Sequence, residues 1–270
     1  MGAVKKYFAN QFQRRMLNVE HDDVADFYLC SFQQNRSPVL LLCIETILLL
    51  GCLAILITSI IMTGMFMSFG YWFIYLTHWG LFLITLTTGF GFAVSARAYK
   101  GPINSTYQFI LISDCSLGLP WYVKTYWIVY NTATPVALLI TVFYWAFLQD
   151  IEGEYAVNET LDIFIHAVNS VIMVLLLITS RVPSRALHLY QPIVFTLIYM
   201  FFSIIYYFAG GTDPCQALYC SYYILSSLIF CIFFLIKIGR QADGPLDGRW
   251  LPSPMIQATP QLLQVRCLLQ

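Results

Sequence analysis

Long apolar segments separated by short polar ones restrict this chain to one broad class of protein. Of its 270 residues, 59% are hydrophobic and 10% are charged, whereas a soluble domain carries roughly 25% charged residues. A helix needs about 20 predominantly apolar residues to cross the hydrocarbon core of a bilayer. The sequence contains six such segments. It therefore predicts an integral membrane protein with an all-α fold, a polytopic transmembrane bundle of six helices.

The six predicted helices lie between an N-terminal segment and a C-terminal tail. The segment 1–38 lacks the apolar core of a signal peptide, so the first helix is expected to serve as the targeting signal. The tail 239–270 is rich in Gly, Pro and Asp in its first half, a composition typical of a flexible tether. The predicted helices span 39–67, 71–96, 123–147, 161–180, 191–209 and 217–238.

The distribution of charge predicts how the chain is oriented in the membrane. All 14 Lys and Arg residues lie in the N-terminal segment, near the connections after the second and fourth helices, or at the C-terminal end. The connections 149–160 and 210–216 contain acidic residues but no basic ones. Basic residues are retained on the cytoplasmic side during insertion. Both termini are therefore predicted to be cytoplasmic.

Three of the eight cysteines suggest covalent modification. Cys215 and Cys220 lie at the exoplasmic mouth of the sixth predicted helix, where a disulfide and a pair of partly buried thiols are both consistent with their spacing. Cys267 begins a C-terminal prenylation box, although a protein with six spans gains little anchoring from one more lipid chain. The four histidines are scattered along the chain. We therefore expect no metal site and no cofactor.

The stretch 71–80 places polar groups among aromatic ones at the start of the second predicted helix. Tyr71, Trp72 and Trp79 are typical of the aromatic belt at a membrane interface. Thr77 and His78 have two interpretations. In one, the Thr77 hydroxyl bonds a carbonyl one turn back and His78 belongs to the belt. In the other, they form part of a functional site.

A second polar set lies at the start of the fourth predicted helix. Asp162, His166 and Asn169 are spaced four and three residues apart, so they share one helix face. Thr77 and His166 both lie roughly 9 Å inside their helices at the rise of an α-helix. A hydroxyl, an imidazole and a carboxylate at one level could act as nucleophile, base and orienting group. Alternatively, these groups bond one another and hold two helices together.

Two further polar residues are predicted inside the membrane. Glu45 lies near the cytoplasmic end of the first helix, and Asn131 lies at a similar level of the third. We expect them to form a packing pair in which Glu45 is protonated or reached by water. A transporter is the third possible function. Only Glu45 suggests an ion path, and the basic residues of the predicted spans lie at their ends.

Five separated motifs in this chain resemble one family. They are Tyr75-Leu76-Thr77-His78-Trp79-Gly80, Pro120-Trp121-Tyr122-Val123-Lys124 with Trp127 and Asn131, His166-x-x-Asn169-Ser170, Pro183-Ser184-Arg185 with His188, and Gly210-Gly211-Thr212-Asp213. Together they resemble the rolling stone family of six-span membrane proteins, whose founding member is implicated in myoblast fusion. The resemblance implies a role in membrane fusion or cell contact at the plasma membrane. The expected partners are membrane lipids and another membrane protein, and no nucleic acid.

A more distant resemblance implies chemistry. The chain is similar to the androgen-induced membrane hydrolases that cleave fatty acid esters of hydroxy fatty acids. Thr77 falls on the nucleophile of that family, and His166 on the first histidine of its His-x-x-His motif. Asn169 replaces the second histidine, which is catalytic in that family, and an amide cannot accept the proton. Either His166 with Asp162 takes that role, or the scaffold remains without hydrolysis. Whether the protein is an enzyme therefore stays open.

Overall fold

The computed structural model describes residues 12–66, 69–100, 119–148 and 159–210. Within these ranges, five helices are long and apolar enough to cross a membrane. They are α1 (Val39–Phe66), α2 (Leu76–Lys100), α3 (Trp121–Phe143), α4 (Glu159–Ile163, Phe164–Val168 and Asn169–Thr179) and α5 (Tyr190–Phe208). The all-α membrane fold is thus confirmed. The sixth predicted helix, the tail, Cys215, Cys220 and Cys267 lie outside the described residues.

Helix α3 lies at the centre of the described bundle. It packs against α2, α4 and α5, and α2 in turn packs against α1. The aromatic side chains of Tyr126, Trp127 and Tyr130 on α3 are almost completely buried. By contrast, α1 and α5 expose large apolar side chains along much of their length. Lipid solvates such side chains without cost, so these two helices form the outer surface of the described part.

Buried threonines on α2 satisfy their hydroxyl groups within the helix. Thr85, Thr87 and Thr88 donate to the carbonyls of Leu81, Leu83 and Ile84 at 2.8, 2.8 and 3.1 Å. No water is available inside a bilayer, so each polar group needs a partner in the protein. One interpretation of the sequence assigned this bond, from a hydroxyl to the carbonyl one turn back, to Thr77. In the structure, threonines deeper in the same helix make it.

The second helix begins five residues later than the sequence predicts. Residues Phe69–Phe73 form a 3₁₀ helix, and α2 starts at Leu76. The carbonyls of Trp72 and Phe73 accept hydrogen bonds from the rings of His78 and Trp79, each at 2.7 Å. Because side chains donate hydrogen bonds to these carbonyls, the carbonyls do not need the backbone partners that a continuous α-helix would provide.

Trp72 does not belong to an aromatic belt, contrary to the sequence-based expectation. Its side chain is buried, and its indole N–H donates to Ser59 Oγ on α1 at 3.1 Å. Trp79 contacts the rings of Phe195, Tyr199 and Phe202 on α5. Both indoles therefore join helices of the bundle.

The N-terminal segment folds against one end of the bundle. It contains two short 3₁₀ helices, Arg14–Leu17 and Val24–Phe27. Phe27 and Cys30 are fully buried, and the Phe27 ring packs edge-on against Trp127 of α3, with 5.4 Å between ring centroids. The sequence predicted a cytoplasmic segment without assigning it any contact with the helices.

Two arginines between α4 and α5 bind the backbone of this segment. Arg181 donates from Nε to the Cys30 carbonyl at 3.0 Å and from Nη2 to the Gln33 carbonyl. Arg185 donates to the carbonyls of Asn18 and Glu20 at 2.7 and 2.5 Å. A guanidinium group has several N–H donors in a fixed plane, so it can bind several backbone carbonyls of an irregular segment at once.

Candidate functional site

Two π-helical turns face each other at the end of the bundle where α4 begins. One, Tyr144–Leu148, follows α3, and the other, Phe164–Val168, interrupts α4. The rings of Tyr144 and His166 stack between them, with 3.5 Å between centroids and an interplanar angle of 6°. π-helical turns are rare, and they occur often at functional sites.

Asp162 orients the imidazole of His166, as the helical spacing predicted. His166 Nε2 lies 3.2 Å from Asp162 Oδ1, and the Tyr144 hydroxyl donates to the other carboxylate oxygen. A neutral ring that donates from Nε2 to this carboxylate would have its lone pair on Nδ1. Nδ1 is buried without a hydrogen-bond partner. The imidazole thus has one nitrogen fixed by a carboxylate and one available as a proton acceptor.

Side chains from α3 and α4 support the π-helical turn that carries His166. Thr141 donates to the His166 carbonyl, and Ser170 donates to the Ala137 carbonyl at 2.7 Å. Asn169 donates from Nδ2 to the Ile165 carbonyl at 2.6 Å. A carbonyl oxygen can only accept a hydrogen bond, so the NH₂ group of the Asn169 amide must face Ile165. The amide oxygen Oδ1 is then the atom that is buried without a partner. Asn169 therefore contributes a second acceptor rather than a base.

Thr77 and His78 take different positions at the start of α2. Thr77 is half-buried, and no hydrogen bond from its hydroxyl occurs within the described residues. His78 is buried and stacks in parallel on Trp72, with 4.9 Å between ring centroids. His78 also lies close enough to His166 for the two imidazoles to interact electrostatically. The structure thus pairs His166 with Asp162 and His78 with Trp72, and the participation of Thr77 stays a prediction.

Tyr144 and Thr141 are the site residues that sequence reasoning missed. Both lie within the third apolar segment, more than fifteen residues before Asp162, and no periodicity connects the two helices. A tyrosine near the end of an apolar segment carries no signal that distinguishes it from a membrane-interface residue. No group of three His, Cys, Asp or Glu side chains placed to hold a metal occurs in the part of the chain that is described.

A second polar network lies at the opposite end of the bundle, beneath the N-terminal segment. The Asn131 amide lies 3.0 Å from His188 Nδ1, and Trp127 donates to the Pro183 carbonyl at 2.7 Å. The Arg185 guanidinium lies over the Trp127 ring, 4.7 Å from its centroid. The predicted packing pair of Glu45 with Asn131 is therefore wrong, because the Asn131 amide pairs with His188 in the connection between α4 and α5.

The fold and these clusters define a polytopic α-helical membrane protein that buries titratable side chains between its spans. The chain belongs to the rolling stone family, since the family model described as Protein rolling stone matches residues 2–236. It is 28% identical over 265 residues to Protein rolling stone of Drosophila melanogaster, which covers 92% of this chain and 95% of that protein. No solved structure matches the chain. The resemblance to the rolling stone family is thereby confirmed.

Proposed function

We propose that this protein acts at the plasma membrane in membrane fusion or cell contact of the myoblast type. The proposal rests on one observation, the family match over residues 2–236, which extends across all five described helices. A match of that extent includes both polar networks and the arginines that bind the N-terminal segment. The function would require no cofactor, and a second membrane protein at the cell contact is the expected partner.

A content-mixing assay tests this function. Two populations of fusion-competent cells, each expressing half of a split fluorescent protein, are mixed with and without depletion of this protein. We expect depletion to lower the number of fluorescent fused cells and re-expression to restore it. A protein that reaches the cell surface but leaves fusion and adhesion unchanged would contradict the proposal.

The candidate site favours a second function, the hydrolysis of a lipid ester. His166 is oriented by Asp162 and retains a lone pair on Nδ1. In this proposal, Thr77 Oγ attacks the ester carbonyl and Nδ1 takes its proton. The alcohol then leaves with that proton, and water releases the acid from the acyl-threonine. The Thr77 hydroxyl would have to lie within hydrogen-bond reach of Nδ1 during this step.

A fluorophosphonate probe applied to membranes containing the protein tests the hydrolase. We expect Thr77→Ala to abolish labelling and Asp162→Asn to weaken it, because the imidazole loses its orienting charge. Thr87→Ala is the matched control, since its hydroxyl lies in the same helix and bonds the Leu83 carbonyl. Labelling that survives Thr77→Ala would exclude Thr77 as the nucleophile.

A further inference from the structure

Glu45 is a carboxyl group buried in the membrane-spanning bundle away from the site described above. Its side chain is fully buried on α1. One oxygen lies 2.5 Å from Ser95 Oγ on α2, and the other lies 3.3 Å from the Tyr126 hydroxyl on α3. The carboxyl group therefore joins three helices through two hydroxyl groups.

The groups that face Glu45 from the neighbouring helices are neutral. Tyr126 is the titratable group in contact with it, and Ser95 is the other polar contact. Arg97, two residues after Ser95 on α2, lies over the ring of Tyr122. Within the described residues, no ion pair joins Glu45 to a basic side chain. A carboxylate here would be a charge buried without a countercharge, which is strongly unfavourable.

The backbone of α2 approaches Glu45 closely at Gly91. A Cβ atom at that position would lie 2.5 Å from Glu45 Oε1 and 3.0 Å from its Cδ. The carboxyl group is thus enclosed by the glycine on one side and by the two hydroxyls on the other. The four side-chain oxygen atoms of this cluster are fewer than the six or more that a cation such as Ca²⁺ or Mg²⁺ takes.

We propose that Glu45 is an intramembrane proton-binding site and that its bound proton keeps α1 docked on α2 and α3. In the structure Ser95 and Tyr126 both donate to Glu45. In the proposed neutral acid, the Glu45 hydroxyl would donate to Ser95 Oγ instead, and the Ser95 hydroxyl would turn its proton to a carbonyl of its own helix. The second oxygen of Glu45 accepts from Tyr126. Loss of the proton would leave a buried negative charge with two hydroxyl donors, and this would weaken the docking of α1.

A hydrophobic carbodiimide tests for the proton. The acid transfers its proton to a carbodiimide nitrogen while a carboxyl oxygen bonds the central carbon, and the adduct rearranges to a stable N-acylurea with no leaving group. Mass spectrometry of the full-length protein in membranes should find this adduct on Glu45 at mildly acidic pH. A charged, water-soluble carbodiimide should leave Glu45 unmodified but react at the exposed Glu20. Failure of the hydrophobic reagent to modify Glu45 would overturn the proposal.

Thermal unfolding provides an independent measurement. Glu45→Gln has the shape of the neutral acid, so it should keep the Tm of the original protein at mildly acidic pH and remove the loss of Tm at alkaline pH. Glu45→Ala should lower the Tm by about 5 °C or more. A Gln variant that unfolds as early as the Ala variant would overturn the proposal. If the variants do not fold, the carbodiimide result on the unaltered chain decides alone. Neither measurement depends on fusion or hydrolysis.

Discussion

Individual residues set how closely the helices of this bundle approach one another. A Cβ at Gly80 would meet the end of the Ile140 side chain, which can rotate away. A Cβ at Gly91 would meet Glu45 and, at 3.1 Å, the Tyr126 ring. Neither of these two side chains can move easily, because the Tyr126 hydroxyl donates a hydrogen bond to Glu45. The cost of a methyl group should therefore depend on the neighbour rather than on burial alone.

The substitution Gly91→Ala should destabilise the protein by about 1–3 kcal/mol, the usual cost of overpacking a well-packed interior. Gly89→Ala is the matched control, because its Cβ would find only Leu49 Cδ1 at an ordinary 3.8 Å. Thermal unfolding of the two variants in the same detergent gives the comparison. Equal Tm values for the two variants would show that α1 and α2 do not pack as described.

At the scale of the helices, two π-helical turns decide which side chains meet at the candidate site. A π-helical turn bonds residue i to residue i+5 and so adds a residue to the turn. The side chains that follow are displaced around the helix axis relative to an uninterrupted α-helix. In α4 this turn carries His166, and the hydroxyl of Thr141 supports it from α3.

Replacing Thr141 by Val should destabilise the protein by about 1–2 kcal/mol, because the hydroxyl serves a carbonyl in the π-helical turn of another helix. Thr46→Val is the control, since the Thr46 hydroxyl bonds the Leu42 carbonyl of its own α-helix. Chemical or thermal unfolding measures both. A Thr141→Val variant as stable as Thr46→Val would mean that the hydroxyl does not hold the turn.

The N-terminal segment is a second element whose position can be tested. Cys30 is fully buried, and its carbonyl accepts a hydrogen bond from Arg181. Arg181→Ala should expose the thiol more often and raise the rate of its reaction with a maleimide about tenfold, as expected for a loss of about 1.4 kcal/mol. Site-resolved mass spectrometry reports the modification of Cys30 in the full chain. Arg14→Ala, at an exposed position, should not change that rate.

At the scale of the whole molecule, the motif residues that the structure describes fall into two groups at opposite ends of the bundle. His78, His166 and Asn169 lie at the end where α4 begins, and Trp127 and His188 lie at the end covered by the N-terminal segment. The charge distribution predicts that the first end is exoplasmic and the second cytoplasmic. This assignment and the sixth helix stay predictions.

Protease protection tests this orientation in intact cells. Epitope tags at residue 2 and after Gln270 should both be protected, because both termini are predicted to be cytoplasmic. A tag inserted near Glu154, in the connection between α3 and α4, should be removed. Cleavage of either terminal tag from outside would require an odd number of spans or the opposite orientation.

The sequence by itself determined the class of this protein, the approximate positions of its five described helices and its family. These properties depend on local features, namely the length of an apolar segment, the residues at its ends and short motifs. The pairing of Asp162 with His166 was also predictable, because four residues along one helix fix their separation.

Contacts between helices were decided by the tertiary structure alone. The ring of Tyr144 on His166 and the pairing of Asn131 with His188 both depend on how the helices are rotated when they pack. A single residue added by a π-helical turn, or a 3₁₀ segment before α2, changes that rotation. Apolar sequence on all sides of a membrane helix does not indicate which face turns inward, so these contacts arise only when the helices pack.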